Sequence, residues 1–300
     1  MWKTIFAITF LGILIDSCMH NYMASWAGFA HRFCLDLSPS ESTYRPLYSA
    51  MVCGADPAMS QITAHLRAVG LYHLLVVSGS HLIFIEILLL YIFKPLGKPG
   101  EWLIFIALII FTLICNVAAP VMRAMISFML RKINEESKLF WSGHNLTLAS
   151  GIVTLLLFPA WLNSLSFVMS WSAALYVSLP VKSSLRKHIV IFLGLIPIVY
   201  SLQPMHPITS LINWLVAPLL GFILLPLCVV AFAFSPAVYL VDLFWLAVDK
   251  VTTVIALEIP SQNATTKTIF LLSWFYIFFA QIIIYFILRN MRRRMALNTH

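Results

Sequence analysis

The chain has 300 residues, of which 61% are hydrophobic and 10% charged, whereas a soluble domain is nearer half apolar and a quarter charged. That balance, with a mean hydropathy of +0.93, leaves no room for a soluble domain and implies an all-α polytopic membrane protein of roughly eight to ten spans of about 20 residues each. The formal charge of +8 is weak support for a nucleic-acid partner, because membrane proteins gather Lys and Arg in cytoplasmic loops for reasons of topology alone.

The candidate spans, in chain order, are 4–27, 72–93, 102–119, 146–161, 165–180, 189–204, 209–233 and 268–288. Met1-Trp2-Lys3 ahead of the Ile5–Ile15 run has the outline of a signal peptide, and Ile15-Asp16-Ser17-Cys18 that of a lipoprotein cleavage site. A single basic residue and the ill-fitting Asp16 argue instead for an uncleaved first helix that continues through Met23–Phe29. Residues 31–57 form the longest polar stretch, punctuated by Pro39, Pro46 and Pro57. With the N-terminus inside, this stretch faces outward, and Cys34 and Cys53 become candidates for a disulfide in an oxidising compartment. Cys18, Cys115 and Cys228 lie in apolar runs and read as buried thiols.

The run from 72 to 93 follows Arg67 and carries His73, Ser78, Gly79, Ser80, His81 and Glu86. Lipid offers such groups no hydrogen bonds, so they should face a protein interior or a wet cavity. Gly79 permits close backbone approach or an unwound turn, and Glu86 suits a proton relay or an ion pair. Packing between helices accounts for the same polar groups about as well. His65, His73 and His81 recur every eight residues, about 80° apart around a helix, which suits helix-to-helix hydrogen bonds better than a metal site.

Next comes Asn116-Val117-Ala118-Ala119-Pro120-Val121-Met122-Arg123. Here a half-helix is expected to end near Asn116 and a new one to start at Pro120, which has no backbone N–H to donate. Arg123 then stands near a helix N-terminus, a place that favours anions such as phosphate; Glu86 is the alternative, purely structural partner. Residues 207–226 contain Asn213, Pro218 and Pro226 and read as a kinked or re-entrant element. Residues 121–133 are short for a span, and 237–257 carry Asp242, Asp249 and Lys250, which suits the membrane interface. If both cross, ten spans place both termini and four basic clusters inside: Lys94/Lys98, Arg131/Lys132/Lys138, Lys182/Arg186/Lys187 and Arg289/Arg292/Arg293/Arg294. The positive-inside rule favours that count, or an equivalent arrangement with a helix broken at Pro120.

Neither a GxxxxGK[ST] loop nor an HExxH motif is present in the sequence, so the chain offers no phosphate-cradling loop for ATP and no zinc set of that type. No enzyme activity, cofactor or metal is expected.

The segment RAVGLYHLLVVSGSHL resembles a signature of the ComEC-type competence protein family, in which Gly-Leu-x-His-Leu-Leu leads into Ser-Gly-Leu-His. APVMRAM, LSFVMSWSAA and INWLVAPLLGFILLP are similar to three further motifs of that family, in the same order. The resemblance covers residues 56–288. It implies an inner-membrane, multi-pass channel for single-stranded DNA in natural transformation, and it carries over to Gly70, His73, Ser78, Gly79, His81, Arg123, Ser170, Asn213 and Pro218. Glu86, Asn116 and Pro120 join that pathway from the reading of the residues themselves. Ser80 departs from the family's leucine, and Ser166 stands where a Gly-Phe pair normally begins one motif.

Full-length members resemble three-part proteins with an OB-type domain and a metallo-β-lactamase-like domain. Residues 31–57 are too short for the first, and no His-x-His-x-Asp-His run marks the second. The expected organisation is therefore an N-terminal helix with a polar extracytoplasmic segment over 1–55 and a competence-type channel domain over 56–300. Expected partners are single-stranded DNA, membrane lipid, a separate DNA receptor and a cytoplasmic helicase or single-strand-binding protein, with homo-oligomers left open. The competing readings are a secondary transporter of a small solute and a truncated relative with a structural role.

Overall fold

The computed structural model describes residues 3, 6–7, 17–57, 60–68, 71–181, 183–199, 208–255 and 273–284. Among them every regular element is helical: α1 (Ser17–Leu37), α2 (Arg45–Tyr48) with a π-turn over Ser49–Cys53, α3 (Gln61–Ala68), α4 (Gly79–Phe93), α5 (Lys98–Ile114), α6 (Ala119–Ser137), α7 (Gly143–Leu157), α8 (Leu165–Val177), α9 (Ser184–Val199), α10 (Ile208–Leu219), a π-turn over Leu220–Leu224, α11 (Leu225–Ala231) and α12 (Ser235–Ile255). A last apolar helix, α13, covers Ser273–Ile284.

Two helical stretches among the described residues are long and apolar enough to cross a membrane, Gly79–Leu96 and Trp214–Ala231; α7, α8 and α13 are apolar but shorter. Large hydrophobic side chains are exposed as well as buried. Ile83, Ile87, Leu88 and Ile92 are exposed on α4, while His81 and Glu86 on the same helix are buried. Polar groups inside and branched aliphatics outside suit a lipid solvent.

Several elements differ from their sequence-based outlines, each for a local reason. The 72–93 run is not one helix. Residues 72–74 make a 3-10 turn, Ser78 is extended, and the helix starts only at Gly79, because Ser78 supplies an N-cap. Residues 121–133 are not a short isolated piece but the middle of α6, which continues through Asn134 and Glu135 to Lys138, in the left-handed conformation that ends helices. Residues 208–231 are helical throughout, with a π-turn in the middle. The chain stays helical past Pro218, and Leu225 N–H reaches back to Leu220 O to close a π-turn where two prolines withhold donors. Residues 200–207 and 268–272 lie outside the described residues, as does the N-terminal span apart from residues 6–7 and the part from 17 onward.

Four apolar cores among the described residues hold the body together, the smallest around Ile126, Leu157 and Phe158. One joins α1, α2, α3 and the first π-turn to the second π-turn, α11 and α12 through Tyr48, Met51, Leu224, Val241 and Trp245. A second lies among α4, α5 and α6 around Leu82, Leu108 and Phe128. The third joins α8, α9 and α13 around Phe167, Leu175 and Ile198, with Ala119 at the start of α6 reaching into it. Glycine notches tighten these contacts: the Phe84 ring fills the space a Cβ would need at Gly221, and the Trp171 indole does the same at Gly151.

Candidate functional site

The chain enters α4 in extended conformation at Ser78 and turns helical at Gly79. Ser78 N–H donates to His81 Nδ1 at 3.2 Å, and Ser78 Oγ lies 3.0 Å from that nitrogen and 2.6 Å from Ser80 Oγ. A backbone N–H only donates, so Nδ1 is the acceptor and the imidazole proton sits on Nε2. His81 thus takes the place of the carboxylate in a capping box. Ser78-Gly79-Ser80-His81 is a capped helix start rather than an unwound segment. Ser80 points outward, while Gly79 and His81 are buried.

The α5–α6 junction is a true break. Asn116 and Val117 both have φ of 51°. For β-branched Val117 that conformation costs roughly 1–2 kcal/mol. Asn116, Val117 and Ala118 turn their N–H groups back to Leu113 O, Thr112 O and Cys115 O. Pro120 then sits in the first turn of α6, where a missing N–H is harmless.

Arg123 follows, only 5% exposed, and its Nε donates to Ser170 Oγ of α8 at 3.1 Å. Gly79 lies against it. A Cβ there would stand 3.0 Å from Arg123 Nη2, 3.2 Å from Ala124 Cβ and 3.3 Å from Pro120 O. A Cβ there would be tight against all three, so glycine lets the start of α4 settle on the first turn of α6 without displacing them. Three segments far apart in sequence therefore meet at one point: Ser78–His81, Pro120–Ala124 and Ser170.

Glu86 is not the partner of Arg123. It accepts from Arg131 Nη2 at 2.6 Å. Gly79 touches Arg123 and Glu86 touches Arg131, so α4 and α6 run parallel and present both N-termini at the same end. None of the ion pairs among the described residues includes Arg123.

A second polar locus lies along α12. Ser42 Oγ donates to Asp242 Oδ1 at 2.5 Å, and the Tyr48 hydroxyl lies 2.9 Å from the same oxygen and 3.0 Å from Val238 O. Burial and the Asp242 carboxylate push the Tyr48 phenol above its usual range, so it remains a donor. Further along, His65 Nδ1 lies 3.2 Å from Asp249 Oδ1 and 3.0 Å from Thr253 Oγ1. The acids that made 237–257 a doubtful span thus face α2, α3 and the loop before them. Cys34 and Cys53 form a disulfide with a Cα–Cα separation of 5.8 Å. His31 Nδ1 lies 2.9 Å from both Cys53 O and Ile114 O, and a Cβ at Gly54 would approach Cys115 Cα to 3.1 Å. The disulfide segment is therefore seated on the end of α5, next to the break that leads to Arg123.

Other expected site residues are not brought to this point. His73 is exposed ahead of α4, and Pro218 is exposed within α10. Gly70 lies outside the described residues. Asn213 belongs to α10, which connects to α4 through the second π-turn, where Phe84 packs on Gly221 and meets Phe222 edge-on at 4.6 Å. Sequence reasoning missed Arg131, Gly221 and His31. The available signal for the first was spacing: Gly79 to Glu86 is seven residues and Arg123 to Arg131 is eight, so each pair is two turns apart along its helix. Among the described residues no group of three or more His, Cys, Asp or Glu side chains is placed to hold a metal.

A family model described as "Competence protein" matches residues 51–293. No curated protein and no solved structure matches the chain.

Proposed function

The chain belongs to the competence protein family, and from that membership we propose that it is a multi-pass protein of the bacterial inner membrane that conducts single-stranded DNA inward during natural transformation. The observation that carries this reading is the meeting of three motif segments on the buried guanidinium of Arg123. A polyanion crossing a low-dielectric layer needs a hydrated route with polar walls and some fixed positive charge. Arg123 supplies the charge, Ser170 orients it, and His81 and Gly79 fix the helix start that lies against it. Glu86, held by Arg131, keeps α4 and α6 in register and in this reading carries no proton.

Orientation follows from the disulfide. Cross-links of this kind persist in oxidising compartments, and the Cys34–Cys53 segment sits at the end of the bundle where α4 and α6 begin. The Arg123 locus then lies toward the extracytoplasmic side, where an incoming strand arrives from a separate receptor. The sequence contains no nucleotide-binding loop, so the pull comes from a cytoplasmic helicase, a single-strand-binding protein or an ion gradient. Conduction does not require this chain to catalyse any reaction.

The test is deletion of the gene followed by complementation. Wild type should restore transformation, and a variant with Arg123→Ala should reach the membrane without restoring it. Normal transformation in the deletion strain, with a growth defect on one solute, would replace this reading with that of a small-solute permease.

A further inference from the structure

The turn between α6 and α7 exposes three large apolar side chains in a row, Leu139, Phe140 and Trp141, with Phe140 88% exposed. The turn is nonetheless fixed at both ends. Lys138 closes α6 in the left-handed conformation, and Leu139 N–H donates to Asn134 O at 3.2 Å. Asn134 Oδ1 accepts the Trp141 N–H at 2.9 Å, and Ser142 caps α7. In a helix ending of this kind the apolar residue after the left-handed one commonly packs back on its own helix. Leu139 stays out instead, and Phe140 holds a φ of 54°, which a bulky residue rarely adopts. A braced run of exposed apolar groups marks a contact surface.

Its level in the bundle identifies the contact. Gly79 of α4 lies against Pro120 and Ala124 of α6, and Glu86 meets Arg131. Gly79 to Lys94 and Arg123 to Lys138 are each fifteen residues, about 22 Å of helix. Lys94 and Lys138 therefore stand at one level, at the end opposite the disulfide segment. His144 Nδ1 lies 2.7 Å from Ser178 Oγ, so α7 starts and α8 ends at that level too. The exposed apolar face of α4 runs to the same level through Ile83, Ile87, Tyr91, Ile92 and Leu96. Asn134, one turn back from Lys138, draws Trp141 toward the depth of that face. Membrane proteins gather Trp and Tyr at this depth, with the ring against acyl chains and the polar edge among headgroups. Charge at the end of α6 balances, Lys132 and Lys138 against Glu135 and Glu136, so apolar insertion rather than attraction to anionic lipid holds the turn there.

We propose that Leu139, Phe140 and Trp141 form an interfacial anchor inserted at the headgroup–acyl boundary, with phospholipid rather than a soluble protein as the partner. The leaflet is the cytoplasmic one in the orientation given above. The anchor rests on the multi-pass reading and not on the passage of DNA.

The full chain, with Cys18, Cys115 and Cys228 replaced by alanine and the disulfide kept, is reconstituted in phosphatidylcholine nanodiscs. A nitroxide is attached to Phe140→Cys, to Ile87→Cys on the exposed apolar face of α4, or to Glu41→Cys in the exposed polar segment. Collisions with oxygen, which concentrates in lipid, are compared with collisions with a water-soluble nickel chelate. An oxygen-to-nickel ratio at position 140 several-fold above that at 41, and below that at 87, supports the anchor. A ratio at 140 equal to that at 41, with 87 still high, puts the turn in water and overturns the anchor in favour of a soluble partner. Equal ratios at all three positions overturn the multi-pass reading together with the anchor. The same ratio at 140 in phosphatidylglycerol discs supports apolar insertion. A high ratio found only in phosphatidylglycerol overturns it, because the lysines would then be what draws the turn to the surface.

Discussion

Along α12 each partly buried acid faces a donor: Asp242 has Ser42 and Tyr48, and Asp249 has His65. Where α4, α6 and α8 meet, the hydrogen-bond partner of Arg123 among the described residues is the Ser170 hydroxyl, although Arg123 is more deeply buried than either acid. The first locus is complete without a ligand and is further tied down by the Cys34–Cys53 bond. The second holds a cation that none of the ion pairs among the described residues includes. Paired polar groups in such a body serve cohesion, and the Arg123 locus is where the proposed route passes.

The sharpest way to break this contrast is to neutralise one charge at each locus. Arg123→Met should abolish transformation with little loss of folded protein. Asp242→Asn, which weakens hydrogen bonds to a charged acceptor worth about 1.5–3 kcal/mol, should lower the thermal midpoint and membrane abundance while leaving transformation per molecule intact. Equal functional loss in both variants at matched abundance would erase the distinction.

Removing the disulfide comes next. Cys34→Ser should cost about 2–4 kcal/mol, read as earlier thermal unfolding and faster proteolysis near residues 38–57, with function falling only as abundance falls. A larger change is not expected, because His31 still ties Cys53 O to Ile114 O.

A third change tests packing at the join between α4 and the second π-turn. Gly221→Ala drives a methyl group into the Phe84 ring, and overpacking of this kind costs roughly 1–3 kcal/mol. The expected result is a lowered thermal midpoint; an unchanged midpoint would show that the two elements separate easily.

Smallest of all should be Glu86→Gln. It breaks the pair with Arg131, but that arginine's side chain is 40% exposed, and partly exposed pairs are worth at most about 1 kcal/mol. Transformation should stay near wild type. A complete loss would make Glu86 a working proton carrier and undo its structural assignment.

The helical class and the break before Arg123 were legible because each has a local cause: long apolar runs, Pro120, and polar residues where lipid tolerates none. The meeting of Gly79, Arg123 and Ser170 was legible only as three separate oddities, since spacing along the chain does not say which helices touch. Pairings across helices stayed hidden for that reason. Glu86 looked equally suited to Arg123 and to a proton relay until α6 was placed parallel to α4, bringing Arg131 level with it. The acids of α12 suggested an interfacial helix because their donors, Ser42, Tyr48 and His65, lie some 180 to 200 residues earlier. Likewise the run from 72 to 93 read as one span, with an unwound turn permitted at Gly79, because hydropathy does not register a serine cap.

Thiol accessibility tests the central claim most directly. In a background with Cys18, Cys115 and Cys228 replaced by alanine, Ser170→Cys places a thiol beside Arg123, and Ile87→Cys places one on the exposed aliphatic face of α4. A charged, membrane-impermeant thiol reagent should modify the first and spare the second, and added single-stranded oligonucleotide should slow the reaction at position 170. A thiol at 170 that never reacts, or reacts at one rate with and without the oligonucleotide, would contradict a hydrated, strand-bearing route past Arg123.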